Sequence, residues 1–178
     1  LNMDGTLKRD GSGAIVANYT PDDIKAVARA LTGWTYARLN NGAATDYNLR
    51  DYKTPMIPAP TRYDNTVKTF LGVTVAAGAT QDQSVDAVVD AAFNNPSTPP
   101  HFAKFLIQNL VTSNPSGAYV QRVANVFVNN GQNVRGDMKA VIRAVLTDPE
   151  ARGVAKTGAT DGKVKEPVLL MTGIMRAV

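Results

Sequence analysis

Residues 100–148 read PHFAKFLIQNLVTSNPSGAYVQRVANVFVNNGQNVRGDMKAVIRAVLTD. Apolar residues recur there with helical periodicity in three successive runs, and breaks that contain Asn, Gly or Pro separate the runs. The runs are Phe102, Phe105, Leu106 and Leu110; Tyr119, Val120, Val123, Val126 and Phe127; and Met138, Val141, Ile142, Val145 and Leu146. Short connections favour antiparallel helices that pack their apolar stripes together, so the stretch predicts three helices around one core.

An earlier helix has a well-marked start at Thr20-Pro21-Asp22-Asp23. Thr20 is expected to cap it, Pro suits its first position, and the two acids complement the positive end of the helix dipole. Gly33 is expected to end this helix. Trp34, the only tryptophan, follows directly, and we expect it to be buried as a core anchor.

The other segments complete the fold prediction. Asp10-Gly11-Ser12-Gly13 predicts a β-hairpin turn, residues 37–80 predict a long irregular insertion, and the apolar residues of 68–75 within it predict extended chain. Helical periodicity returns at 85–93 and again after Pro167, where four residues form the predicted buried face: Val168, Leu169, Met171 and Met175. We therefore predict a mainly α fold: a compact bundle of about six helices, a small β-hairpin near the N-terminus and the irregular insertion.

Composition narrows the functional classes. The chain has 178 residues, of which 44% are hydrophobic and 19% charged, as expected for a globular protein, and it has no cysteine for a disulfide or a thiolate metal site. No apolar run approaches the roughly 20 residues that span a bilayer. We expect residues 1–178 to form a single domain. Because the chain starts without Met and ends inside an apolar helical pattern, we also expect a fragment of a longer protein.

Charge is distributed unevenly along the chain. Residues 1–100 hold nine Lys and Arg against ten Asp and Glu, whereas residues 101–178 hold ten against five. A basic half could bind an anionic polymer. The cations are nevertheless spread singly along predicted helix faces, which is typical of solvated surfaces, so the pattern does not favour nucleic-acid binding.

Catalytic and metal-binding patterns are sparse. His101 is the only histidine and there is no cysteine, so the chain lacks the several His or Cys ligands of a typical zinc site. Its place in the first turn of a predicted helix indicates a structural or solvent-facing role for His101. Asp86 and Asp90 lie one helical turn apart on a polar face, which indicates solvation. Arg135-Gly136-Asp137 begins a helix, where Asp137 favours the dipole. We therefore assign no catalytic residue, no metal ligand and no cofactor.

Several segments resemble a bacterial family called domain of unknown function 1800. They are LNMDGT near the start, YTPDDIKAVARALTGW at 19–34, KTFLG at 68–72, LIQNLVTSNPSGAYVQRVANVF at 106–127, RGDMKAVIRAVLTDPEAR at 135–152 and KVKEPVLL at 163–170. The resemblance implies a mainly helical fold and export from the cell. It also implies a longer parent protein, often encoded beside a second family that resembles sulfatases and phosphatases. It implies no activity.

One departure from the family pattern selects the binding candidates. Relatives usually carry His-Asp shortly before the K-T-x-L-G stretch, and here the corresponding pair is Tyr63-Asp64. If that His acts in relatives, this chain lacks it. Tyr63, Asp64 and Lys68 are therefore the polar residues that we select as binding candidates.

Three functional hypotheses remain open, and whether the protein is an enzyme stays undecided. The first is a helical module of an exported protein that binds a protein or cell-surface partner, such as the product of a neighbouring gene. The second is part of a hydrolase-like enzyme whose site is completed by a further N-terminal region. The third is a basic surface that binds an anionic polymer. Neither substrate nor oligomeric state follows from the sequence.

Overall fold

The computed structural model describes residues 1–39, 50–153, 158 and 161–177. Its seven α-helices in this described part are α1 Pro21–Ala30, α2 Gln81–Asn94, α3 Thr98–Leu110, α4 Gly117–Val128, α5 Met138–Thr147, α6 Pro149–Arg152 and α7 Pro167–Ala177. Its strands are β1 Trp34–Thr35, β2 Ala37–Arg38, β3 Arg50–Asp51, β4 Ile57–Pro58, β5 Lys68–Phe70 and β6 Val73–Val75. The strands pair antiparallel as β1 with β4, β2 with β3 and β5 with β6. The predicted mainly α fold is thus confirmed.

The chain divides into two compact units. Leu1–Val16 and Pro96–Val178 form unit 1, and Ala17–Asn95 form unit 2. Each unit has its own cluster of buried apolar side chains. That residues 1–178 form a single domain, and that they belong to a longer chain, stay predictions.

The core of unit 1 lies where α3, α4 and α5 pack against one another. Its buried residues are Ala103, Ile107, Tyr119, Val120, Val123, Ala124, Phe127, Val141 and Val145. The stripe predicted for α4 is therefore confirmed, apart from Val126, which is only partly buried. Burying one large apolar side chain contributes about 1.5–3 kcal/mol, so this cluster is the main stabilising feature of the unit.

The stripe predicted for α3 was largely wrong. Phe102, Phe105 and Leu110 are 40%, 55% and 49% exposed, whereas Ala103 and Ile107 are completely buried. Because α3 carries apolar side chains on more than one face, periodicity alone does not select the buried one. The face with the small Ala103 side chain allows a neighbouring helix to approach closely, and this face packs inward.

The predicted buried face of α7 was also wrong. Its four residues, Val168, Leu169, Met171 and Met175, are 55–76% exposed, and no described residue of α7 is buried. The chain before α7 is held instead: Ser113 N donates to the Gly162 carbonyl at 3.0 Å, and Val164 N donates to Ser113 Oγ at 3.0 Å. Apolar periodicity shows which residues of a helix could be buried, but not whether another element packs against them.

The N-terminal turn of unit 1 follows the sequence. Asp10 Oδ1 accepts from Ser12 N at 2.9 Å and from Ala14 N at 3.0 Å, which closes the predicted turn. Arg9 and Ile15 flank it as an isolated antiparallel bridge. Val16 N donates to the Lys8 carbonyl at 2.9 Å, so the predicted hairpin is present as a short pairing around this one bridge.

In unit 2, α1 begins as predicted. Thr20 Oγ1 accepts from Asp23 N at 3.1 Å, and the Asp23 carboxylate accepts from Thr20 N at 2.7 Å, which forms a capping box. The residues at 68–75 form the β5–β6 hairpin, in agreement with the predicted extended chain. The buried apolar cluster of this unit consists of Ala26, Ala30, Phe70, Val75 and Ala91.

The prediction that Trp34 is buried was only half right. Its side chain is half-buried, and its Nε1 lies in the interior without a hydrogen-bond partner among the described residues. Its strand β1 pairs with Ile57 and Pro58 of β4. Tyr47 of the predicted insertion lies outside the described residues.

The core of unit 1 can be tested with two matched isoleucines. Ile107→Ala removes a completely buried side chain and is expected to lower the free energy of unfolding by about 2–5 kcal/mol. Ile142→Ala, at a side chain that is 40% exposed, is expected to cost about 1 kcal/mol or less. Urea denaturation measures both values, and equal losses would contradict the assigned core.

Candidate functional site

Tyr63 lies between the irregular segment and the start of α2. Its hydroxyl is 2.5 Å from Ser84 Oγ and donates to the Thr80 carbonyl at 3.3 Å. Thr80 is also the N-cap of α2, where its side chain accepts from Gln83 N. The Tyr63 ring therefore docks the irregular segment onto the first turn of α2.

Lys68, the first residue of β5, is 1% exposed. Its Nζ donates to the Thr66 carbonyl at 2.9 Å and to the Tyr63 hydroxyl at 3.4 Å, and it lies 4.7 Å from the centre of the Tyr63 ring. No salt bridge joins it to a carboxylate among the described residues. A buried ammonium is costly unless it is well bonded, so the carbonyl and the aromatic ring are what hold this charge.

Asp64 binds the last turn of α1 instead of joining Lys68. Its carboxylate accepts from Arg29 Nε at 2.6 Å, from Thr66 N at 2.9 Å and from Thr66 Oγ1 at 2.5 Å. Its backbone N–H donates to Thr32 Oγ1 at 3.0 Å. The Arg29 guanidinium first, and the Thr66 donors next, hold the pKa of the Asp64 carboxyl far below its usual range.

Gly33 allows these contacts to form. Its φ is +82°, and its carbonyl accepts from Ala59 N at 2.6 Å and from Gln81 Nε2. A Cβ at this position would lie 2.6 Å from Tyr63 Cβ and 2.7 Å from Gln81 Nε2. Only glycine fits, because the site combines a left-handed backbone with no free space. We call the set Arg29, Gly33, Tyr63, Asp64, Lys68 and Ser84 the polar junction.

The polar junction includes residue types that can serve in acid–base chemistry. Three of them, Ser84, Tyr63 and Lys68, form one hydrogen-bonded chain. Ser84 is completely buried, however, and Lys68 nearly so. A substrate atom must reach a nucleophile or base directly, and burial closes that access at Ser84 and Lys68, whereas Tyr63 and Asp64 are only partly buried. The arrangement is suited to fixing the irregular segment between α1 and α2. No group of three acidic or histidine side chains that could hold a metal ion occurs in the described part of the chain.

The sequence analysis missed a second polar cluster, in unit 1. Arg122 on α4 makes a bidentate pair with Asp148, at 2.8 Å for each contact, and Asp148 also caps α6 by accepting from Glu150 N. Tyr119 beside it donates to the Val145 carbonyl at 2.5 Å, and burial raises the pKa of its hydroxyl to about 12. The sequence Asp148-Pro149-Glu150 is typical of a helix start and could have identified Asp148 as a cap. Nothing in the sequence indicates that Arg122 contacts Asp148.

A shallow groove runs along α4 and α5 in unit 1, with a volume of about 480 Å³. Lys139 and Arg143 lie one turn apart on its α5 side, and Val126 and Ala140 contribute apolar lining. Asp137 also lines it, but its carboxylate caps α5 by accepting from Lys139 N and Ala140 N. This N-cap role agrees with the structural interpretation of Arg135-Gly136-Asp137.

A family model described as protein of unknown function (DUF1800) matches residues 6–178. The chain belongs to the DUF1800 family. No curated protein and no solved structure matches this chain. Among the helices described for this family member, none has both the length and the apolar character that crossing a bilayer requires.

The Asp64–Arg29 pair predicts a pH-dependent loss of stability. A carboxyl whose pKa is lowered by folding stabilises the protein fully above its unfolded pKa of about 4, and this contribution is lost progressively as the pH falls from that value towards the lower folded-state pKa. Asp64→Asn is therefore expected to be less stable than the wild type at pH 7, and the gap is expected to shrink at pH 3. Urea denaturation at both values measures the gap.

Asp86→Asn is the matched control, because Asp86 is an exposed carboxylate on α2 in the same unit. It is expected to leave the stability at pH 7 almost unchanged. A gap between the wild type and Asp64→Asn that is the same at pH 3 and pH 7 would contradict the electrostatic role of Asp64.

Proposed function

We propose that this DUF1800 chain is a helical binding module of an exported bacterial protein, and that it recognises a protein partner. The observation that carries the proposal is a line of apolar side chains on α5. Met138, Ile142 and Leu146 recur every fourth residue and are 37%, 40% and 45% exposed. Val141 and Val145 on the adjacent line of the same helix are completely buried. The helix thus has one apolar line for the core and a second that remains accessible.

An accessible apolar line on a helix suits a protein partner because apolar contacts at the centre of an interface supply most of its binding energy. The partner that the family resemblance suggests is the product of a neighbouring gene. The same resemblance is the basis for proposing export. Neither proposal requires a reactive group in this chain.

The hydrolase-like alternative draws on Tyr63, Asp64 and Lys68. It has less support, because Asp64 is engaged by Arg29 and Lys68 is buried against Tyr63. The anionic-polymer alternative draws on Lys139 and Arg143 in the α4–α5 groove. It has the support of two cations on one wall, but Asp137 in the same groove offsets part of their charge.

Binding of the full-length protein to the neighbouring gene product tests the proposal. We expect an interaction at micromolar concentration that the pair Ile142→Ser and Leu146→Ser weakens at least about tenfold, because truncating central apolar contacts typically has this effect. Isothermal titration calorimetry measures the affinity. Both side chains are partly exposed, so the fold is expected to tolerate the change.

Val89→Ser on α2 is the matched control, since it removes a 57% exposed valine from unit 2. It is expected to leave the affinity unchanged. Failure of the wild-type proteins to bind at micromolar concentration would remove the proposed partner, and equal binding by the α5 variant would remove the proposed surface.

A further inference from the structure

The exposed side of α5 carries a row of positive charge beside its apolar line. Lys139 and Arg143 are both exposed and lie one helical turn apart, in the row of residues next to the apolar line. The helix has no acidic residue along its whole length. It therefore presents an apolar row and a cationic row side by side.

The carboxylates that flank α5 in the sequence are already engaged. Asp137 caps the start of the helix, and Asp148 after its end makes the bidentate pair with Arg122. Asp137 also attracts Lys139 through space, which offsets part of that charge. Within the described part of the chain, however, neither Lys139 nor Arg143 is in a salt bridge. The cationic row thus keeps most of its charge for a partner.

The shallow α4–α5 groove lies next to the cationic row. Lys139 and Arg143 line it together with the side chain of Gln132, so ammonium, guanidinium and amide groups surround the same space. All three are N–H donors, and carboxylates accept their strongest hydrogen bonds from the charged ones. A volume of about 480 Å³ admits the carboxylate ends of Asp or Glu side chains.

We infer that the protein partner binds α5 through an acidic amphipathic helix. This inference rests on the proposed function and adds the chemistry of the partner. Residues four apart on a helix repeat about every 6 Å, so two adjacent rows of a second helix match the two rows of α5 along their length. The apolar row of the partner packs on the apolar line, and its acidic row pairs with Lys139 and Arg143 at the groove.

The helix α7 also has an exposed apolar surface, but its cations are arranged differently. Arg176 in the last turn is the only cation within the helix, and Lys165 precedes its first residue. No pair of cations one turn apart therefore runs beside the apolar side chains of α7. The arrangement that suits an acidic helix is found on α5, and α7 supplies a matched control.

Binding of two synthetic peptides to the full chain tests the inference. The first is a helical peptide with Leu at every third or fourth position and Glu in the adjacent row, and the second carries Lys in place of each Glu. We expect the Glu peptide to bind at micromolar concentration, at least about tenfold more tightly than the Lys peptide. Its affinity is expected to fall as the salt concentration rises, because exposed charges are screened. Fluorescence anisotropy measures both affinities.

Two double variants of α5 separate the contributions of the rows. Lys139→Glu with Arg143→Glu is expected to reverse the preference, so that the Lys peptide binds more tightly. Ile142→Ser with Leu146→Ser is expected to weaken binding of the Glu peptide at least about tenfold. All four side chains are exposed, and circular dichroism melting curves verify that the variants fold.

Lys165→Glu with Arg176→Glu is the matched control, since it reverses two exposed cations beside the apolar surface of α7. It is expected to bind both peptides as the wild type does. The inference is overturned by absent binding of the Glu peptide at millimolar concentration or by equal binding of the two peptides. It is also overturned by equally tight binding of an oligoglutamate without leucine, or by loss of binding in the α7 variant instead of the α5 variants.

The same measurements distinguish this inference from the proposed function. Peptide binding that needs Ile142 and Leu146 but not Lys139 and Arg143 would overturn the acidic partner and leave the apolar surface in place. Failure of the neighbouring gene product to bind removes that product as the partner, whereas the peptides test the two rows of α5 directly.

Discussion

The close approach of the chain at Gly33 is the constraint on which unit 2 depends. Its carbonyl accepts hydrogen bonds from Ala59 and Gln81, and the space where a Cβ would stand is already filled by Tyr63 and Gln81. This contact brings the end of α1, the irregular segment and the start of α2 together. Around it, Asp64 binds Arg29 and Lys68 is buried against Tyr63. Arg29, Asp64 and Lys68 therefore help to hold the unit together.

Because these polar side chains hold unit 2 together, other surfaces of the molecule become the candidates for function. A substrate must be able to reach a reactive group, and in the polar junction the Ser84 hydroxyl and the Lys68 ammonium are buried. Exposed side chains that could contact a partner lie elsewhere in the molecule. Unit 1 presents the apolar line of α5.

Local signals in the sequence were reliable for helix boundaries. The capping box at Thr20 and the N-cap at Asp137 could be predicted because a cap depends on residues within one turn. The choice of buried face could not be predicted for α3 or α7, since both helices are apolar on more than one side and only their neighbours decide.

The contacts of the candidate site could also be predicted only in part from the sequence. Tyr63 and Lys68 were selected together and do lie together, whereas Asp64 pairs with Arg29, 35 residues away in the chain. Long-range pairs such as this one, or Arg122 with Asp148, depend on the packing of elements and leave no local pattern. The pairing of Arg38 with Arg50 in the β2–β3 register likewise becomes visible only in the structure.

The comparison of Gly33→Ala with Gly72→Ala tests the central constraint most directly. Both glycines have positive φ, +82° and +79°, but a Cβ at Gly72 meets nothing within 4 Å. Gly72→Ala is expected to cost about 1–2 kcal/mol from the left-handed backbone alone. Gly33→Ala is expected to cost about 1–3 kcal/mol more because of the added overlap with Tyr63 and Gln81. Urea denaturation measures both, and equal costs would contradict the account.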